Sequence, residues 1–187
     1  RWALKQPTGK PLATNIDWTQ AALYCPLDAG FSYSYELARP AWAFIENRRV
    51  LVAPIEPFDL THLASHIIGG NNNRGLRQPG FRFEHMLPRW VEKTKAFIQE
   101  QAAAGTPFFV YFAPICPHRP IHPNKSFQGR SGCGVFGDFV VELDDAVGQL
   151  MAQLVASRVA DNTLIIFTAD NGAETNTYGH IQRYHHW

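Results

Sequence analysis

Two short apolar runs, TPFFVYFAP at 106–114 and TLIIFTAD at 163–170, flank the most regular amphipathic stretch of the chain, and that order constrains the fold more than any other feature. Between them Phe136, Phe139, Val140, Leu143, Val147, Leu150, Met151, Leu154 and Val155 recur at intervals of three and four, the spacing of one stripe on a helix. The first run is rich in aromatic residues and bounded by prolines. The second follows an Asp161-Asn162 turn signal and carries β-branched residues on both faces. Both read as buried strands, the second with the composition of a parallel sheet covered by helices. A helix crossing between two strands of one sheet makes them parallel, with a right-handed connection. Their carboxyl ends then lie on the same edge.

A second helix is expected upstream. Phe83, Met86, Leu87, Trp90, Phe97 and Ile98 are at helical spacing, Pro88 is tolerable only near the first turn, and Gly105 supplies a stop, giving about five turns. The segment before it is less regular. GFSYSYELARPAWAFIENRRV offers short strand-like runs, and GGNNNRGLRQPG reads as an exposed loop. The expected organisation is therefore loop-rich excursions over 1–80, a helix-strand-helix-strand core over 81–175, and a short segment of an active-site loop over 176–187.

Composition narrows the partners. The 187 residues are 45% hydrophobic and 13% aromatic, enough to bury a core. With 17 Lys and Arg against 16 Asp and Glu, the net field gives no reason to expect nucleic acid as a partner. No stretch approaches the roughly 20 apolar residues of a membrane span. Cys25, Cys116 and Cys133 are too few and too scattered for a disulfide scaffold or a closed zinc site. The chain does not begin with Met, and it is expected to be a piece of a longer protein.

In open α/β sheets, ligands bind outside the carboxyl ends of the strands. The first run leads into APICPHRP, which carries His118, and the second delivers Asp170 and Asn171 directly. A carboxylate and an amide carbonyl are hard oxygen donors suited to calcium or magnesium. Gly172 lets the backbone turn behind them. An imidazole that titrates near neutrality can donate a proton or hydrogen bond to an anionic ester. Taken alone, Asp-Asn-Gly is also an ordinary turn and a loop histidine an ordinary surface residue. Their convergence on one rim is what favours a site.

In order and spacing, TPFFVYFAPICPHRPIHP, FQGRSGCGVFGDFVVELDDAVGQLMAQL and ADNTLIIFTADNGAE resemble the central part of the catalytic domain of formylglycine-dependent, arylsulfatase-like sulfatases. The resemblance implies an α/β fold of alkaline-phosphatase type, a sandwich with a large, mostly parallel sheet between helices, incomplete in this chain. It also implies hydrolysis of sulfate esters on a sulfated small molecule or carbohydrate. Asp170 and Asn171 match the family's late pair of calcium ligands, and His118 matches the histidine that contacts the sulfate ester. The formylglycine nucleophile is expected outside these residues, because none of the three cysteines has Pro at +2 and Arg at +4. The family is often secreted, periplasmic or lysosomal.

Two rival functions fit the same residues: a phosphodiesterase or phosphonate hydrolase of the same superfamily, and a binding protein that keeps the fold without the chemistry. Other positions invite attention without a clear role. Asp145 reads as a solvated residue of the helix face and Asp144 as a boundary residue bonded nearby, Arg48 and Arg49 as solvated or substrate-facing cations, and His180, His185 and His186 as histidines without a recognised ligand spacing.

Overall fold

The computed structural model describes residues 12–63, 68 and 74–172. The chain divides into two compact units, Arg1–Arg82 and Phe83–Trp187. His180, His185 and His186 lie outside the described residues.

In the first unit β1 (Tyr35–Leu37), β2 (Phe44–Glu46) and β3 (Arg49–Val50) form an antiparallel sheet in that order. The tight turn between β2 and β3 places Asn47 at φ 56°, a left-handed conformation that Asn tolerates better than most residues. Its side-chain oxygen accepts the Ser34 N–H at 3.0 Å and its own N–H donates to the Ser34 carbonyl at 2.8 Å, closing the end of the sheet. Ala38, Ala43 and Ile45 are buried beneath it, with Trp18 and Val50 packed against them. The buried Gln78 side chain accepts the Phe44 N–H at 2.9 Å.

β4 (Glu56–Asp59) pairs antiparallel with β5 (Arg74–Arg77), in the register Glu56 to Arg77 and Asp59 to Arg74. The sequence reading of a loop through GGNNNRGLRQPG is corrected at Arg74–Arg77. Opposite charges stand across the ladder, Arg77 on Glu56 and Arg74 on Asp59, and this cross-strand pairing offsets a poor strand composition.

The second unit contains both expected helices. A 3₁₀ turn, Phe83–His85, leads into α1 (Met86–Ala104), which buries Met86, Leu87, Val91 and Ile98. Gly105 ends it at φ 65°. The Gly105 N–H donates to the Ala102 carbonyl at 3.1 Å and the Thr106 N–H to the Gln101 carbonyl at 3.0 Å, the paired bonds of a Schellman closure. α2 (Gly134–Ala156) packs on α1. Its buried line is Asp138, Phe139, Glu142, Ala146 and Leu154, whereas Val140, Met151 and Val155 of the expected apolar stripe are exposed.

The two apolar runs differ from expectation. Neither 106–114 nor 163–170 is hydrogen-bonded as a strand, and the large parallel sheet is not formed among the described residues. Both sheets present are small and antiparallel, so the observed class is mixed α/β. Within the first run burial alternates: Phe108, Val110 and Phe112 are half-buried while Phe109 and Tyr111 are 73% and 74% exposed. That period of two belongs to a pleated segment with one face covered. Phe108 meets Phe97 of α1 edge to face, with centroids 6.4 Å apart. In the second run Leu164, Ile165, Ile166 and Phe167 are all exposed. A strand needs a neighbour on its edge to satisfy its backbone, and apolar sequence alone does not supply one.

Candidate active site

His118 lies in the segment between Ala113 and Cys133 that joins the first apolar run to α2, and its structure follows from where its polar groups are bonded. Two residues before His118, the buried Cys116 donates its thiol to the Phe139 carbonyl of α2 at 3.4 Å. Burial, with some help from the Glu142 charge, pushes that thiol well above its ordinary range, so it stays protonated and able to donate. Six residues after His118, the Asn124 N–H donates to Glu142 Oε2 at 2.8 Å, and its side-chain amide donates to Glu142 Oε1. The same amide donates to the Glu84 carbonyl at 2.8 Å, so Asn124 joins the 3₁₀ turn ahead of α1 to the third turn of α2. Between these anchors the His122 ring stacks on Phe83, with centroids 5.0 Å apart and planes at 14°.

Further along, Asp138 holds the approach to α2. It accepts the Gly129 N–H at 2.8 Å, the Ser131 N–H at 2.9 Å and the Ser131 hydroxyl at 2.7 Å. Gly137 beside it has no room for a side chain: an added Cβ would stand 2.6 Å from Cys133 Cβ and 2.7 Å from Ser131 Oγ. The two buried carboxylates differ in their electrostatics. For Asp138 burial pushes the carboxyl up, but the donors of Ser131 and Gly129 together outweigh it and hold the group below the ordinary range. For Glu142 burial wins, supported by the charges of Asp145 and Glu84 and opposed by Asn124, and its carboxyl is raised.

His118 itself is exposed. Its N–H donates to the Ile115 carbonyl at 2.7 Å, and Nδ1 lies 2.6 Å from the Arg119 carbonyl oxygen. A carbonyl can only accept, so this contact assigns the proton to Nδ1 and leaves Nε2 as the nitrogen at which a proton is exchanged. Asp170 and Asn171 are exposed at the bend that ends the second run. The Asn171 side-chain nitrogen donates to the Gly172 carbonyl at 3.0 Å, which leaves its oxygen as the end offered to a cation. A carboxylate and an amide oxygen in adjacent positions fit a hard cation such as calcium, as two of the six to eight oxygens it takes.

The three expected site residues lie in one unit, but no hydrogen bond or ion pair joins His118 to Asp170 or Asn171. Among the described residues no group of three or more His, Cys, Asp or Glu side chains forms a metal site. A groove of about 540 Å³ between α1 and α2, lined by Val91, Glu142, Ala146 and Gln149 among others, includes none of the three. Arg48 is occupied elsewhere: its guanidinium donates to both carboxylate oxygens of Asp28, at 2.6 and 3.0 Å. That pairing holds the Asp28 carboxyl down at about 2. Arg49 donates to the Thr19 carbonyl at 3.0 Å.

Sequence reading weighed only Asp144 and Asp145 among the acidic positions of α2 and passed over Asp138 and Glu142. The signal was present. Asp138, Glu142 and Ala146 are spaced by four, and Gly137 precedes the first of them.

Comparison with known proteins matches residues 67–187 to the family described as Sulfatase. N-acetylgalactosamine-6-sulfatase of Canis lupus familiaris is 39% identical over 84 residues, which are 45% of this chain and 16% of that protein. Arylsulfatase A of Homo sapiens is 51% identical over 69 residues, 37% of this chain and 14% of that protein. N-acetylgalactosamine-6-O-sulfatase of Bacteroides thetaiotaomicron is 40% identical over 178 residues, covering 76% of this chain and 34% of that protein. The chain therefore spans well under half the length of these relatives. A solved chain described with the metabolism of multiple glycosaminoglycans by Bacteroides thetaiotaomicron superposes with a TM-score of 0.65 over 82% of this chain and 40% of its own. At 22% identity that likeness bears on the fold alone.

Proposed function

The chain belongs to the sulfatase family, and from that premise we propose that the whole protein hydrolyses sulfate esters, with a sulfated carbohydrate as the substrate class. The observation that carries the reading is the match over 67–187, which takes in the His118 loop and the Asp170-Asn171 bend together. Relatives named for N-acetylgalactosamine 6-sulfate support the carbohydrate class.

In this reading the two apolar runs pair as neighbouring strands of a large parallel sheet in the complete catalytic domain, the alkaline-phosphatase-like sandwich. The 81–175 segment is then its helix-strand-helix-strand core, and the rims of His118 and Asp170 converge. In its doubly protonated form His118 contacts the ester and hands the Nε2 proton to the departing oxygen, returning to the neutral ring whose Nδ1–H the Arg119 carbonyl keeps in place. Asp170 and Asn171 hold a calcium ion together with ligands from outside these residues. When bound, the cation offsets the negative charge of the sulfate group. The formylglycine nucleophile is likewise supplied from outside these 187 residues.

The test is turnover of an aryl sulfate and of a galactosamine 6-sulfate by the whole protein, with the matching phosphate esters alongside. Sulfate ester turnover that is lost on chelation and in Asp170→Ala is the expected result. Phosphate ester turnover without sulfate ester turnover would overturn it.

A further inference from the structure

We infer that Glu142, on α2, is a positioning residue for His118; the inference rests on the sulfatase reading above. The loop that carries His118 is fixed on both sides of it. Cys116 and Asn124 bracket His118 in sequence, and their partners are the Phe139 carbonyl and the Glu142 carboxylate, three positions apart on one helix. Three helical positions rise by about 4.5 Å. The segment from Cys116 to Asn124 is therefore a closed loop whose two ends are held side by side on α2.

Its interior is stiff. Pro117, Pro120 and Pro123 fix three of its φ angles, and the stack of His122 on Phe83 holds its far limb. The loop end after His118 is held to α2 by Glu142, which receives both Asn124 donors and is 4% exposed. A carboxylate is suited to this position because it presents two acceptors to two donors. An amide would turn a donor toward one of them.

Without the Glu142 acceptors the far limb is left to the Asn124 bond to the Glu84 carbonyl and the His122 stack, which lets His118 drift, and small displacements of a proton donor are costly to catalysis while leaving ground-state binding nearly intact. Glu142→Gln in the whole protein is accordingly expected to lower kcat on a sulfate ester with a poor leaving group by about tenfold to a hundredfold, with KM little changed. The loss should shrink for activated aryl sulfates, as it should for His118→Ala.

The decisive experiment is a double-mutant cycle in the whole protein. Glu142→Gln is measured alone and in the His118→Ala background, with Asn124→Ala as a second route to the same lesion should the first variant fold poorly. The positioning role predicts a large loss in the wild-type background and little or no further loss once His118 is gone. Equal losses in both backgrounds would overturn it, marking Glu142 as a residue of general stability. A His118→Ala variant with wild-type kcat on sulfate esters would overturn the proton-donor role of His118, and with it this inference, while a whole protein that turns over no sulfate ester would overturn the sulfatase reading itself.

Discussion

The segment 114–133 and the two apolar runs on either side of α2 invert the usual relation between composition and burial. The loop is polar and rich in Pro and Gly, yet the groups that fix it are buried: Cys116 of the loop and Asp138 and Glu142 of α2 hold the two together. The runs are almost wholly apolar, yet Phe109, Tyr111, Ile166 and Phe167 are each more than 70% exposed. A polar loop can be completed by a single helix, because each of its hydrogen bonds needs only one partner atom. An apolar strand is completed only by neighbours along both edges and both faces, and no strand pairs with it among the described residues.

The largest effect is expected at the second run. In the whole protein Phe167→Ala is expected to cost about 3–5 kcal/mol in a denaturant unfolding experiment, the loss of a buried aromatic side chain. A loss below about 0.5 kcal/mol would mean that the run stays as open as it is seen here. The next largest effect belongs to the loop. Gly137→Ala forces a methyl group against Cys133 and Ser131, and by the cost of overpacking it should destabilise by about 1–3 kcal/mol. An unchanged melting temperature would contradict the close fit. Asp138→Ala leaves three donors without their acceptor and is expected to cost about 2 kcal/mol.

Asp138 also makes a pH prediction. Its folded carboxyl lies below its ordinary value of 3.8, so its contribution is complete above that pH and is lost as pH falls through the folded value. Asp138→Asn should flatten that acid limb in a pH series of melts. The smallest effect is at His122, whose imidazole is held below its ordinary 6.5 by burial, against a weaker opposing pull from Glu84. Stability should be complete above about pH 6.5 and fall as the ring is forced to take a proton. His122→Phe keeps the stack on Phe83 and should remove this dependence while shifting stability at pH 8 by less than about 0.5 kcal/mol.

The same contrast explains what could be read from the sequence. Helices α1 and α2 were legible because their bonds are local: the period of three and four names the stripe, and Gly105 names the stop. β1 to β3 were legible as short strand-like runs, while β5 was not, since Arg74–Arg77 becomes a strand through ion pairs to β4, Arg74 to Asp59 and Arg77 to Glu56, that are distant in sequence. The runs 106–114 and 163–170 carry strand composition, but composition states a preference and pairing needs a neighbour. His118, Asp170 and Asn171 were nominated from their places beyond those runs and by family resemblance. The residues that shape the loop around His118 were not, because Asp138 and Glu142 look like surface charges until the loop is seen folded over them.

The most direct test of His118 as the proton donor is the leaving-group dependence of kcat for the whole protein and its His118→Ala variant on a series of aryl sulfates. The account predicts that the variant loses most on the most basic leaving groups and least on activated ones, so that the dependence steepens. Equal losses across the series would contradict it and leave His118 a binding residue only.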